Sequence, residues 1–164
     1  MGSGLRVIDR DKFVLGFASA VPSSASPTWV SLKYYNHITI HIFVVNATTV
    51  TGSAITLNQA KDVSGTSSKA LAFTTYFQNL DMVASDTYTS QTASSNTFTT
   101  LSTNSKNAHY VLEVDSGDLD GANGFVTIQV GIGNATAATI TAIYELSWPR
   151  YGGNFASLQS ALLN

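Results

Sequence analysis

Apolar and polar side chains alternate at several places along the chain. The clearest case is ITIHIFV at 38–44, in which every second residue is Ile or Val. A period of two residues is typical of a β-strand that has one face in a hydrophobic core. Runs rich in β-branched and aromatic residues predict further strands at 12–18, 28–33, 53–59, 71–77, 97–101, 109–114, 125–132 and 139–147.

About nine short strands, separated by turn-forming Gly, Ser, Asn and Asp, predict an all-β protein. No amphipathic helical window interrupts them before the C-terminus. A length of 164 residues favours one domain. We therefore expect an antiparallel β-sandwich, jelly-roll-like, over residues 28–148.

Two terminal segments do not fit this sandwich. Residues 1–27 contain one strand candidate followed by VPSSASP, and this composition is typical of a linker, so we interpret the segment as an extended N-terminal arm. In the tail at 149–164, the spacing predicts a short C-terminal helix with one apolar face, formed by Phe155, Leu158, Leu162 and Leu163. So short a helix needs a surface to pack on, in the same subunit or in a neighbour.

Two stretches of the chain have similar sequences, HITIHIFVVNATTVTGSAITLNQ at 37–59 and FVTIQVGIGNATAATITAIYELS at 125–147. In both, an alternating run leads into Asn-Ala-Thr, at Asn46 and Asn134, and Ala-Ile follows at the same gapless offset. Because Asn tolerates turn geometry, we interpret each copy as a β-hairpin, and the hairpins as central strands of facing sheets. The alternative is that such runs recur through composition in a Thr-rich β protein.

Composition argues against several functional classes. The chain has no cysteine, which removes disulfides and thiolate chemistry. Its 8 Lys and Arg residues are scattered and its net charge is −2, so it has no basic patch for a nucleic acid. No apolar run approaches the roughly 18 residues of a membrane span, and charged residues at 9–12 are unlike a signal peptide. We expect a soluble protein made in a host cytoplasm, binding neither nucleic acid nor membrane.

Metal-binding patterns are weak. His37 and His41 share a strand face but lie about 13 Å apart along it, too far for one metal ion, and His109 has no partner at ligand spacing. The acidic loop DSGDLDGANG at 115–124 lacks the oxygen donors of an EF-hand. We expect it to form a helical turn with Leu119 in the core, the alternative being a weak cation site.

Catalytic patterns are also missing. A nucleophilic Ser or Thr must be held by a His that a carboxylate orients, and with 20 Ser and 20 Thr such neighbours arise by chance. No GxSxG, P-loop or GxGxxG motif is present. We expect no enzyme, no cofactor and no metal. Most aromatic side chains should fill the core, but an exposed row would stack on sugars, so a glycan-binding or host-adhesion module is the main alternative function.

Two stretches carry a family resemblance, LDGANGFVTIQVGIGNATAATITAIYELSWPRYGG at 119–153 and YNHITIHIFVVNATTVTGSAITLNQAKDVSGTSSKALAFTTYF at 35–77. Their order of elements resembles that of the head decoration, or cement, proteins of tailed bacteriophages: an alternating strand, a paired strand, an Ala-Leu-x-Phe strand and a strand that closes on Pro-Arg-Tyr. The resemblance implies a β-sandwich or jelly roll that binds the outside of an icosahedral capsid, often as a trimer, and clamps copies of the major capsid protein.

The expected function is therefore that of a non-enzymatic virion structural protein on the capsid surface, with a head-tail or tail component as the nearest variant. A weakly charged domain with apolar termini suits an assembly in which many copies add avidity. The candidate contacts with the capsid or between subunits are Leu5, Val7, Ile8, Phe13, Trp148, Arg150, Tyr151, Phe155 and Leu158. Arg and aromatic residues often carry interface energy, although Arg150 has the alternative of an internal carboxylate partner.

Overall fold

A computed structural model describes residues 6–22, 27–151 and 158–163, with the backbone alone at Ser19 and Ala20. A single turn of helix, α1 (Val7–Arg10), precedes the strands. The strands are β1 (Lys12–Ala20), β2 (Val30–Ser31), β3 (Tyr35–Asn46), β4 (Ala54–Ala60), β5 (Lys69–Ala70), β6 (Thr75–Asn79), β7 (Thr89–Thr92), β8 (Thr97–Thr99), β9 (Asn107–Asp115), β10 (Thr127–Ile132) and β11 (Ala138–Pro149). Two 3₁₀ turns, Ser116–Asp118 and Gly121–Asn123, lie between β9 and β10.

The strands form two antiparallel sheets. One sheet has six strands in the order β1-β11-β3-β9-β6-β7, and the other has five strands, β2-β10-β4-β5 with β8 also paired to β4. Most neighbours are not consecutive in the chain, as in sandwiches with Greek-key connections. The prediction of an all-β antiparallel sandwich is confirmed.

The core lies between the sheets, where the two-residue period predicts it. Ile38, Ile40, Ile42 and Val44 on β3 are at most 1% exposed. They pack with inward residues of the other strands in one hydrophobic cluster. Leu119, between the two 3₁₀ turns, is also buried, as the sequence predicts.

Two buried tyrosines accept hydrogen bonds from distant backbone groups. Tyr144 on β11 reaches across the core to β10, where the Val130 N–H donates to its hydroxyl oxygen at 3.0 Å. β10 pairs with β2 only as far as Ile128, so this hydroxyl takes the place of a strand partner. The Leu101 N–H donates to the Tyr110 hydroxyl oxygen at 2.6 Å. Burial raises the pKa of both phenols, that of Tyr110 to about 12.

The repeat does not form hairpins, so that prediction is wrong. The first copy crosses from the six-stranded sheet (β3) to the five-stranded sheet (β4), and the second copy crosses back, from β10 to β11. Each copy pairs with the other, β3 with β11 and β4 with β10. The two connections lie side by side, since the Ala47 N–H donates to Ala137 O at 3.0 Å and the Thr136 N–H to Thr51 Oγ1 at 2.8 Å.

The two copies agree structurally only in their first strand. Ile42 and Val130, at equal positions in the repeat, both face the core. In the second strand Ala54 is exposed, whereas Ala142 at the same offset is buried. A shift by one residue moves every side chain of a strand to the other face, so the gapless Ala-Ile match is one of composition.

Asn46 does not act as the turn residue that the hairpin interpretation requires. It ends β3 with its side chain buried, and its Nδ2 donates to Leu101 O and Thr103 O, both at 3.0 Å. Asn134, in the second copy, is exposed. The buried Asn46 side chain thus anchors the first connection from inside the protein.

The N-terminal boundary of the sandwich also needs correction. The strand predicted at 12–18 is present as β1, but it pairs with β11 at the edge of the six-stranded sheet. Phe17 is 6% exposed and belongs to the core. The sandwich therefore begins at Lys12 rather than at residue 28, because β1 pairs with β11 and its Phe17 side chain is buried in the core.

The described part of the C-terminal tail packs on the same subunit. Residues 158–163 are not helical, and the rest of the predicted helix lies outside the described residues. Ala161 is 1% exposed, and its carbonyl oxygen accepts the Ser31 N–H at 2.7 Å. The Tyr35 hydroxyl donates to Gln159 O at 2.5 Å. The tail thus covers the end of β2.

Replacing Tyr144 with Phe should lower the free energy of unfolding by about 1–3 kcal/mol, because the buried Val130 N–H loses its acceptor. Urea unfolding of Y144F, compared with Y151F, measures this. Tyr151 is 65% exposed, so the control should stay near the wild type. Equal stabilities of the two variants would contradict the cross-sheet bond.

Deleting residues 1–20 should lower the free energy of unfolding by roughly 3 kcal/mol or more, since burial of an aromatic side chain such as Phe17 alone is worth about 1.5–3 kcal/mol. Deleting residues 1–10, which leaves β1 in place, is the control. Thermal melting followed by circular dichroism compares the two. Equal melting temperatures of the two deletion variants would show that β1 does not stabilise the sandwich, and would support the interpretation of residues 1–27 as an extended arm.

Candidate functional site

The outward side chains of the six-stranded sheet form the candidate site. Along β3, odd-numbered residues from His37 to Val45 face away from the core. The antiparallel register places Ile143 of β11 and Val111 of β9 on either side of His41. The outer face therefore collects side chains from strands that are far apart in sequence.

Three of these side chains and the neighbouring Tyr88 form a hydrogen-bonded row, here named the histidine chain: Tyr88, His109, His41 and Glu145. His41 Nε2 lies 3.1 Å from Glu145 Oε2, and His41 Nδ1 lies 3.2 Å from His109 Nε2. The Tyr88 hydroxyl lies 2.5 Å from His109 Nδ1. The chain links β11, β3, β9 and the segment before β7.

One proton arrangement satisfies the whole histidine chain. An ionised Glu145 only accepts, so His41 donates from Nε2 and accepts at Nδ1. His109 then donates from Nε2 to His41 and accepts at Nδ1 from the Tyr88 O–H. In this arrangement each ring has one donor and one acceptor, as a neutral imidazole does.

The surroundings of His109 keep it neutral. Burial and, to a smaller extent, the nearby His41 lower the pKa of His109 to about 4. Phe43 stacks parallel to the His109 ring, with the ring centroids 4.2 Å apart. At neutral pH the middle of the outer face therefore carries no positive charge from this residue.

The histidine chain contains the groups of a catalytic relay, a carboxylate, an imidazole and a hydroxyl, but its setting differs. A relay needs a substrate space beside the reactive hydroxyl. The pocket of about 320 Å³ on this sheet is lined by Glu145 but not by His41, His109 or Tyr88. The geometry supports a different role, which is to hold four outward side chains in fixed positions.

Sequence reasoning missed the histidine chain. It gives His109 no partner, because His41 and His109 are 68 residues apart and share no local spacing. Only the pairing of β3 with β9 brings them together. Within the described residues no group of three or more His, Cys, Asp or Glu is arranged to hold a metal ion.

An apolar row, here named the outer strip, crosses the same face. It runs through Leu15, Ile143, Val111 and Phe77, with His41 at its centre, and consecutive members are cross-strand partners. Five strands at about 4.8 Å spacing make it about 19 Å long. Its ends are open, with Leu15 53% and Phe77 37% exposed.

The predicted contact residues lie only partly on this face. Val7, Ile8, Phe13, Trp148 and Tyr151 are exposed. Leu158 is buried in its own chain, so its side chain is not accessible to a partner. Leu5 and Phe155 lie outside the described residues. The Arg150 guanidinium donates a hydrogen bond to Ser116 Oγ at 2.8 Å. This partner is a hydroxyl and not the internal carboxylate that was the alternative.

The helix content bears on membrane association. In the part of the chain that the structure describes, no helix has the length and apolar character to cross a bilayer.

Comparisons with known proteins give little further information. No family model matches the chain, and no curated protein matches it. Among solved structures, the chain is similar to the crystal structure of the SPBc2 prophage-derived protein YomS, with a TM-score of 0.44 and 12% sequence identity. The match covers 84% of this chain and 93% of that one. A likeness this remote carries no argument about function.

The low pKa of His109 predicts a loss of stability in acid. Between about pH 6.5 and about pH 4 the unfolded chain binds a proton at this residue and the folded protein does not. The free energy of unfolding should therefore fall through this interval, by roughly 3 kcal/mol in total. Urea unfolding at several pH values measures the slope.

The control is His109→Phe, which keeps a ring against Phe43 and removes the titrating group. H109F should be less stable at pH 7.5 but should lose less stability on acidification. The titratable groups facing His109 are His41 and Tyr88, and both remain in the variant. Parallel curves for the two proteins would show that His109 is not the responsible group.

Proposed function

We propose that this protein is a non-enzymatic virion structural protein of a tailed bacteriophage, which decorates the outside of the capsid and bridges copies of the major capsid protein. The observation that carries the proposal is the outer strip. Large exposed apolar areas on a folded domain mark sites of protein association. The sequence resemblance to phage decoration proteins supplies the partner.

The position of the strip beside a sheet edge supports an assembly role. β1 ends the six-stranded sheet and has one strand neighbour, β11, among the described strands. Leu15 and Phe13, which are 53% and 44% exposed, lie on this edge strand. Exposed strand edges with apolar side chains are prone to associate, and natural proteins usually cover or charge them. A partner surface would cover both strip and edge.

The electrostatics of the face favour burial in an interface. His41 lies at the centre of the strip and His109 lies next to it, and a charged imidazole would be costly to bury without a partner. The histidine chain satisfies both rings internally, and burial lowers the pKa of His109 to about 4, so this ring is uncharged at pH 7. A partner can then cover the strip without desolvating an unpaired charge at its centre.

The assembly itself is proposed to be a homotrimer on the capsid. Contacts of modest strength suffice for a decoration protein, because several linked contacts multiply the apparent affinity. Mass measurement in solution by analytical ultracentrifugation tests this part, with a single trimeric species as the expected result. If the protein is a monomer and still binds shells, the decoration role is supported and the homotrimer is contradicted.

Replacing Leu15 or Phe77 with Asp should weaken binding to shells of the major capsid protein by at least about tenfold, since each change puts a charge at one end of the strip. Co-sedimentation with emptied shells measures binding, and circular dichroism checks folding. Val83→Asp is the matched control, because Val83 is 80% exposed and lies in a loop away from the strip.

Three outcomes decide the proposal. Saturable binding by the wild type and V83D, with loss in L15D and F77D, supports it. No binding of the wild type to shells overturns the decoration role. Equal binding by all four proteins overturns the strip as the contact surface.

A further inference from the structure

A pocket of about 320 Å³ lies on the outer face between α1 and the ends of β3 and β11. Its wall combines an indole, an imidazole, a guanidinium, two carboxylates and a hydroxyl, from Trp148, His37, Arg10, Asp11, Glu145 and Thr39. The volume is at the low end for small-molecule sites, which span roughly 300–1,000 Å³. A single small ring fits such a space.

Trp148 reaches this pocket through an unusual backbone conformation. Its φ is 52°, a left-handed value that is strained for a bulky residue. The regular alternation of β11 is broken at this point, because Leu146 is buried while Trp148 is 63% exposed. The indole lies on the outer face against the ring of His37, with the centroids 4.8 Å apart and the planes tilted by 35°.

His37 is itself fixed in place. Its Nδ1 lies 2.8 Å from Asp115 Oδ1, and its Nε2 lies 3.4 Å from Thr39 Oγ1. A neutral imidazole satisfies both contacts by donating to the carboxylate and accepting from the hydroxyl. Trp148 is thus supported on one side by a rigid neighbour, and the rest of its indole is open as a platform.

The wall of the pocket contains both hydrogen-bond donors and hydrogen-bond acceptors. Asp11 pairs with Arg10 at 3.3 Å, and Glu145 receives its hydrogen bond from His41. A carboxylate has about four lone-pair sites, so both retain free acceptor capacity. The Arg10 guanidinium, whose side chain is 56% exposed, keeps donors free. The pocket therefore offers matched hydrogen-bonding groups and no strong excess of unpaired charge.

We propose that this pocket binds a neutral saccharide unit, with one face of a pyranose ring on the Trp148 indole and ring hydroxyls between Asp11, Glu145 and Arg10. A sugar hydroxyl both donates and accepts, which matches a mixed wall, and the C–H face of the ring packs on an aromatic surface. An anionic ligand would meet two carboxylates. A protonated amine would meet the positive charge of Arg10 beside Asp11.

The saccharide site is distinct from the outer strip, because Leu15, Ile143, Val111 and Phe77 are not among the residues that line the pocket. A glycan array that carries neutral, sialylated and amine-bearing sugars identifies the ligand. The best neutral sugar is then titrated into ¹⁵N-labelled protein. Only two tryptophans are present, so two indole N–H signals are expected, and Trp29 serves as an internal control.

The expected result is a saturable shift of the Trp148 indole signal, with a Kd on the order of 1 mM for one sugar unit. Asp11→Asn should weaken binding at least tenfold, and Trp148→Ala should abolish it. Tyr151→Ala is the matched control, since Tyr151 is equally exposed and does not line the pocket. Shell binding by W148A reports separately on the decoration role.

Several results would overturn the site. If no neutral sugar binds on the array, or if only anionic or amine-bearing sugars bind, the proposal of a neutral saccharide is wrong. Sugar binding that persists in W148A, or that is lost equally in Y151A, removes the pocket as its location.

Discussion

β3 pairs with β11 along its length, from Tyr35 opposite Pro149 to Asn46 opposite Ala138. Because side chains of a strand alternate between its two faces, this one pairing supplies both surfaces of the sheet. The inward residues build the centre of the core. The outward residues position the histidine chain, the outer strip and the saccharide pocket. A slip of register by one residue would exchange the two sets and remove core and sites together.

The strands and much of the core are predictable from the chain, whereas the contacts between strands are not. Period-two patterning identifies β3, β10 and β11 and their buried residues, because alternation is a local property. Which strands become neighbours depends on how the sheets close. That is why the contact between His41 and His109 is invisible in the sequence, and why the repeat indicates hairpins where the chain changes sheets.

Trp148 illustrates a second limit of sequence patterns. By alternation from Leu146 it belongs to the core, and a sequence pattern gives no reason to expect a left-handed φ at tryptophan. The surrounding structure supports this conformation, since His37 offers a ring on which the indole packs. Backbone strain of this kind is concentrated at binding sites in other proteins, and here it creates the aromatic wall of the pocket.

The position of β11 has a consequence for biosynthesis. β11 is the last strand of the described chain, yet it lies between β1, the first strand, and β3. Closing such long loops costs entropy before the contacts that reward it can form. A ribosome must therefore deliver the chain as far as Pro149 before this sheet can be completed. Until then the growing chain presents β1 and β3 each with an unpaired edge, so the interval before β11 emerges is when chaperones would matter most.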